Sequence, residues 1–493
     1  MKSVWNRKPI ADLQAEAHGN EKGGLKRSLG ASSLVALGVG AIIGAGLFVR
    51  TASAAATSAG PSVTFGFIVA AIGCAFAGLC YAELAAMLPI SGSAYTYTYA
   101  TMGELVAWII GWDLTLEYAL GAATVAIAWS EYLNKLLEIF GVQVPYTLCH
   151  SPFQVNPITH AHGVLNLPAL GILVVLTLLL VRGIHESAIV NIAIVIVKLV
   201  IVVLIIAIGW GHIDPANHTP YIPPASEYVD KEGVKHAFGG AMGILGAAGI
   251  VFFAFIGFDA VSTAAQEAKN PKRDMPIAIL GSLGICTILY VLFAHVLTGL
   301  VPVEFFRTSG SEASVAQAIE HAMPAYKWLS NLVTVAILGG FSSVILVMLM
   351  GQSRVFYSMS RDGLVPKLFS DLHPSFQSPY KSNFLFLGFV GLFAAFVPGD
   401  VVGDMTSIGT LFAFILVSLG VWVMRWREPA LPRPFRVPAV PVVSTLGALI
   451  CAAMVFGLGW TNWLRLGVWL AVGLAIYFGY GMKHSKVDRA AAK

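Results

Sequence analysis

The sequence predicts an all-α integral membrane protein with about twelve spans, and three observations carry that prediction. Of the 493 residues, 57% are hydrophobic and 11% are charged, and the mean hydropathy is +0.77, outside the usual range of a water-soluble globular chain. Apolar runs of about 18 residues or more, each able to cross a hydrocarbon core of roughly 30 Å, recur along the chain. They are long and unbroken rather than short and alternating, and lipid admits only helices or closed barrels, so the spans are helical.

In chain order the runs cover residues 31–57, 61–88, 103–134, 167–185, 188–209, 237–263, 276–300, 328–358, 384–398, 404–424, 441–459 and 462–481. The first follows about 30 mostly polar residues and leads at once into further spans, so no cleaved signal peptide is expected. Lys and Arg set the orientation. With both termini cytoplasmic, 22 of the 30 fall on the cytoplasmic side, 7 on the other, and Lys198 lies inside a span. A positive-inside bias of that size predicts a multi-pass cell-membrane protein with cytoplasmic ends. The net charge of +4 is then explained by orientation, and no nucleic-acid partner is needed; the lipid bilayer is the expected surrounding. The residues specify neither an oligomeric state nor an accessory subunit.

The organisation expected is a polar tail over 1–28, one membrane domain over 29–482 and a basic tail over 483–493. Cys149, His150, His160 and His162 share one loop, but their spacing fits no common zinc pattern, so a solvated loop and no metal are expected. The five cysteines suggest no disulfide framework.

Two spans are interrupted. The first contains "GVGAIIGAGLF", Gly38 to Phe48; the sixth reads "GIVFFAFIGFDAVSTAAQEAKNPKRDMP", with Gly257 and Asp259 in an aromatic stretch. Interrupted segments at corresponding points of two five-helix halves indicate an inverted-repeat transporter whose site lies at the breaks. The halves would be about 29–210 and about 236–425, followed by peripheral helices at about 440–482. Gly44 lies roughly 20 Å along the first span and Ile256 roughly 14 Å from the cytoplasmic end of the sixth, which puts both near the midplane. Gly40 and Gly44 also form a GxxxG, which can mean close helix packing alone. Four glycines within nine residues weaken a helix more than one packing face requires, however, and an opened turn would present free N–H groups to a carboxylate.

Lys198, about 15 Å from either end of its span, is a proton-titrating candidate, because an intramembrane ammonium is costly. The competing reading is a fixed Lys–carboxylate pair joining two helices. Asp113 and Glu117 in "GWDLTLEYAL" share a helix face, and Glu117 stands nearer the depth of Lys198, so it is the partner expected. Asp259 is expected to fix the unwound geometry or to cap the second half of the sixth helix rather than to contact substrate.

At "GAIIGAGLFV", "YAELAAMLPISGSAYTY", "GWDLTLEYAL", "FFAFIGFDAVSTAAQEAKNPKRDMPIAI", "SRDGLVPK" and "RPFRVP", the chain resembles the amino acid–polyamine–organocation (APC) superfamily of permeases, in its cationic amino acid transporter-like branch. The resemblance implies a LeuT-type fold of five helices plus five inverted, with the first and sixth broken and two peripheral helices. It implies a substrate carboxylate held by the backbone of Ile42, Ile43, Gly44, Ala45 and Gly46, and a substrate ammonium at Phe253, Ala254 and Ile256, with Phe253 as a gate. It places Met348, or its neighbour Met350, against the substrate side chain and gives proton coupling to Lys198; from the residue reading Glu117 is expected to share in that coupling and in the side-chain pocket. A bulky apolar residue at 348 suits small neutral amino acids better than a guanidinium, which needs a desolvated partner. No catalysis and no cofactor are expected, with H+ as the coupling ion. The alternatives are an exchanger, a sodium-coupled symporter using Ser342 and Ser343, and, more remotely, a membrane-embedded enzyme.

Overall fold

The computed structural model describes residues 4–9, 29–88, 93–156, 159–182, 188–229, 235–309, 314–376 and 378–486. Most of the expected 1–28 tail and the end of the 483–493 tail lie outside the described residues.

The long apolar helices are α1 (Ala31–Ile42), α2 (Val63–Met87), α3 (Glu104–Ile139), α4 (Leu167–Val181), α5 (Ala188–Trp210) and α6 (Gly240–Val251). They continue with α7 (Pro271–Leu300), α8 (Lys327–Arg361), α9 (Tyr380–Phe396), α10 (Gly399–Arg427), α11 (Val440–Gly457) and α12 (Trp460–Ile476). Among the described residues, nine helical segments are long and apolar enough to cross a membrane, and α1, α4 and α9 are shorter apolar helices. The first run is short because its helix stops at Ile42 and helical backbone resumes only at Gly46. The sixth stops at Val251, tightens over Phe252–Phe255, and resumes over Asp259–Glu267. Both sequence breaks are therefore breaks in the backbone.

Burial sorts the helices into a centre and a rim. In the most apolar stretch of Glu104–Ile139 and of Gly240–Ser262, 78% of residues are buried; in Ile192–Trp210 the share is 33%, and in Trp460–His484 it is 22%. A helix apolar all round and half exposed faces lipid, so α5, α11 and α12 form the rim. α2 packs along α7, and α3 packs along α8, enclosing both breaks.

One face carries the described residues of both end segments, 4–9 and those up to 486. There Val4 and Asn6 carbonyls accept the N–H groups of Leu105 and Glu104 at the start of α3, and Ser485 donates to Glu104. Glu83 on α2 holds Arg425 through two hydrogen bonds, of 2.9 and 2.6 Å, and accepts the Val437 N–H. On the opposite face lie the long loops. An antiparallel hairpin of β1 (Ser226–Val229) and β2 (Lys235–Phe238) stands where only loop was expected, with Arg307 between the rings of Tyr228 and Phe238 at 4.5 and 4.6 Å.

Two histidines anchor these loops, and their surroundings shift their pKa values in opposite directions. Both ring nitrogens of His150 face acceptors, Glu131 Oε1 at 2.9 Å and the Tyr146 carbonyl at 3.2 Å, so the imidazolium satisfies both. Burial opposes that charge, but the Glu131 carboxylate and the Tyr146 carbonyl outweigh it and raise the His150 pKa above histidine's usual 6.5. His218 stacks at 4.6 Å from His295 and touches Thr298 at 3.3 Å. Thr298 already donates to Ala294, so His218 donates to it. Burial, then the neighbouring His295, lower the His218 pKa below 6.5.

Candidate functional site: two helix breaks pressed together

At the first break Ile43 is extended (φ −74°, ψ 96°), and its N–H returns to the Val39 carbonyl. Ending a helix leaves its last carbonyls without partners. Lys198 of α5 supplies two, its Nζ donating to Gly40 O and Ile43 O at 3.0 Å each. Tyr290 of α7 supplies the third, its hydroxyl lying 2.9 Å from Ile42 O and 3.0 Å from Ala254 O. One phenol thus ties the first break to the second. A cation at a helix C-terminus also complements the helix dipole. Gly340 on α8 leaves room for the lysine stem, since a Cβ there would run into Lys198 Cε. A cavity of about 10 Å³, enough for about one water, adjoins Lys198 and is lined by Ile43, Phe48, Ile201, Ile337 and Phe341.

Past the break the chain turns helical again at Gly46, and the first N–H groups of that segment have no partner within it. Gly46 is pressed against Ala254: a Cβ would collide with the Ala254 backbone. Gly257 reciprocates at φ +113°, where a Cβ would come 2.8 Å from the Ala41 carbonyl. Gly44 differs, since a Cβ there would meet only Val344 methyls at 3.4 and 3.5 Å, an ordinary contact. Gly38 does pack against a neighbour, Ser282 of α7. Ile42, Ile43, Gly44, Ala45 and Gly46 are all buried, as are Phe253, Ala254 and Ile256. Ile256 is extended (ψ 135°), and its N–H meets the Phe253 carbonyl at 3.3 Å.

Acids gather at the second break. Tyr118 donates to Asp259 Oδ2 at 3.1 Å; the capping expected of Asp259 is corrected, because Phe258 is the N-cap residue, no side chain caps that helix, and Asp259 stands inside its first turn. Glu117 stands beside Asp259 and Thr410. The expected Lys198–Glu117 pairing is therefore corrected: the lysine reaches backbone carbonyls at the first break, and the glutamate reaches the second. Depth alone suggested the pairing; the direction in which α3 presents Glu117 decides against it. The turn carrying Glu117 and Tyr118, Leu116–Leu120, is widened to a π turn, a distortion often found at functional positions.

Met348 is buried with its sulfur 3.0 Å from where a Gly121 Cβ would lie, so it faces α3, whereas Met350 is half-buried at the edge of the core. Ser342 donates to the Leu338 carbonyl and accepts the Trp129 indole N–H. Among the described residues no group of three or more His, Cys, Asp or Glu is arranged to hold a metal.

The breaks are closed off toward the loop face by Arg50, which is only 1% exposed. It bonds Asp400 at 2.7 Å and also Asp404, both on α10. In the sequence Arg50 is only one of the seven basic residues assigned to the non-cytoplasmic side. Tyr290 was missed for lack of any local signal beyond being a lone phenol in an apolar run.

Comparison with known proteins fits this architecture. The family profile described as amino acid permease matches residues 29–473. The chain belongs to the amino acid permease family. It is 44% identical over 487 residues to the branched-chain amino acid permease BcaP of Bacillus subtilis (strain 168), covering 99% of each chain. It is 38% identical to the methylthioribose transporter of the same organism, over 99% of this chain and 100% of that one. With the chloroplastic cationic amino acid transporter 9 of Arabidopsis thaliana it shares 35% identity, over 85% of this chain and 70% of that one. As an amino acid permease it is a multi-pass membrane transporter that moves a small molecule and is not an enzyme.

Proposed function

We propose that this permease is a proton-coupled symporter of neutral amino acids with small or branched apolar side chains, working by alternating access in the cell membrane with both termini cytoplasmic. The observation that carries the reading is the Lys198 ammonium on Gly40 O and Ile43 O. Protonated, it ties α5 to the broken end of α1; losing the proton weakens those charge-assisted bonds and frees the break to move.

The substrate carboxylate would lie on the amides around Ile42 to Gly46, at a half-helix N-terminus. Its ammonium would meet the Phe253, Ala254 and Ile256 carbonyls beneath Phe253 as gate. In keeping with an inverted five-plus-five arrangement, the two breaks face each other. Met348 against Gly121 and the nearby Glu117 would bound the side-chain pocket, which offers an apolar surface. The relative named for branched-chain amino acids agrees with that chemistry. Sodium coupling has less support, because the Ser342 hydroxyl is already engaged by Leu338 and Trp129.

The test is uptake of leucine, isoleucine and valine into proteoliposomes under an imposed proton gradient. Accumulation should follow the gradient, and Lys198→Ala should abolish it while leaving leucine-induced thermal stabilisation. Accumulation that needs sodium, or uptake only into preloaded vesicles, would contradict proton symport. Stabilisation by arginine or methylthioribose but not by leucine would contradict the substrate class.

A further inference from the structure

Asp113 is the buried acid that the mechanism above leaves unused. It lies one turn from Glu117 on α3, toward the face carrying the termini, about 6 Å along the helix axis. It is 1% exposed, and neither of its carboxyl oxygens has a hydrogen-bond partner among the described residues. The groups packed around it offer no counter-charge. From α10 it meets backbone, with Oδ1 3.2 Å from where a Gly409 Cβ would lie. α8 and the short helix Ser93–Thr101 send Met359 and Tyr95 against the nearby Gly111. α12 covers the adjoining Trp112 with Trp469, ring centroids 4.5 Å apart.

The titratable groups within electrostatic reach of it are Glu117, at the second break, and the Tyr81 phenol. Tyr81 of α2 lies within electrostatic reach of Asp259, Glu117 and Asp113 together, and its own hydroxyl has no hydrogen-bond partner among the described residues. Glu117 in turn lies within reach of both Asp259 and Asp113. Three carboxyls therefore lie within electrostatic range of one phenol, none of them hydrogen-bonded to it. A carboxylate buried without donors is expensive, whereas the neutral acid is far less so; a site of this kind favours a carboxyl that gains and loses a proton over one that holds a fixed charge. An acid kept only for structure would normally be paired or hydrogen-bonded.

We infer that Asp113 is a proton relay between the Glu117–Asp259 pair and the face carrying the termini. The inference rests on the proton-coupled reading above. In the relay the neutral Asp113 carboxyl gives its proton to water, as hydronium, when the termini face opens; the Asp113 carboxylate so formed takes the proton of the Glu117 carboxyl one turn away along α3, and Glu117 becomes a carboxylate. The order runs in reverse for outward movement. Asp113 touches neither break, so it is a positioning and relay group and not part of substrate binding.

The test is Asp113→Asn, which keeps shape and removes the proton site. Gradient-driven leucine accumulation should slow by tenfold or more, while leucine counterflow between equal pH on both sides, which needs no net proton release, should stay within twofold of the parent. Asp113→Glu should restore part of the driven rate. An Asn variant with unchanged driven rate and unchanged pH profile overturns the relay; so does one in which driven uptake and counterflow fall together, the outcome of a structural role. Where the Asn variant does not fold, difference infrared spectroscopy of the parent and of Asp113→Glu decides: a protonated-carboxyl band that shifts between the two supports the relay, and a band common to both overturns it. Failure of proton coupling itself is distinguishable, because it shows in the parent protein, as absence of gradient-driven accumulation.

Discussion

The two helix breaks are pressed together through Gly46 and Gly257, yet they are furnished with opposite charge. The first has a cation, Lys198, on its carbonyl end, and N–H groups without a partner in their own helix where it resumes at Gly46. The second has carbonyls and two acids, Asp259 and Glu117. An α-amino acid carries both signs a few ångströms apart, and a seam polarised this way matches it without any charged side chain contacting the substrate carboxylate. The difference also divides the chemistry: a lysine holds main-chain carbonyls at the first break, and carboxyl groups gather at the second.

The largest expected effect comes from separating the breaks. Gly46→Ala puts a methyl into the Ala254 backbone and should abolish uptake and lower thermal stability, whereas Gly44→Ala, meeting only Val344 methyls, should keep most of both. Equal loss in the two variants would show that the glycines act through helix weakening in general and not through the contact. A smaller effect is expected from Tyr290→Phe, which leaves the Ile42 and Ala254 carbonyls without their shared donor. It should cost about 1–3 kcal/mol, read as a lowered Tm, and should reduce uptake at both breaks' expense without altering its pH dependence; a changed pH profile would place Tyr290 in the proton path instead.

The smallest effect lies in the loops. The raised His150 pKa stabilises the loop below about 6.5, the stabilisation being lost as pH rises through the raised value. The lowered His218 pKa works the other way, with stability present above about 6.5 and lost as pH falls through the lowered value. Tm of the detergent-solubilised protein should therefore decline modestly at both ends. His150→Gln should flatten the alkaline limb alone, and a loss of both limbs would show the histidines to be linked.

Much of this was legible in the sequence. Long apolar runs gave the spans, and the glycine cluster and "FIGFD" marked both interruptions, because a broken helix leaves its composition in the chain. Lys198 was visible as an uncompensated cation in an apolar run. Its partners were not, since backbone carbonyls carry no sequence signature, and Glu117 was the more conspicuous choice. Arg50 and Tyr290 escaped for a related reason: each acts through an element distant in the chain, Asp400 and Asp404 in one case and the two breaks in the other. Depth set Glu117 apart from Asp113 in the sequence, but only packing shows where each lies, Glu117 beside Asp259 and Asp113 against Gly409.

The polarised seam is tested most directly by a structure of the protein with leucine bound. The carboxylate should lie within hydrogen-bond distance of N–H groups between Gly44 and Gly46, and the ammonium on carbonyls among Phe253, Ala254 and Ile256, with the side chain toward Met348. Leucine bound with its ammonium at the first break, or held elsewhere in the bundle, would contradict the account.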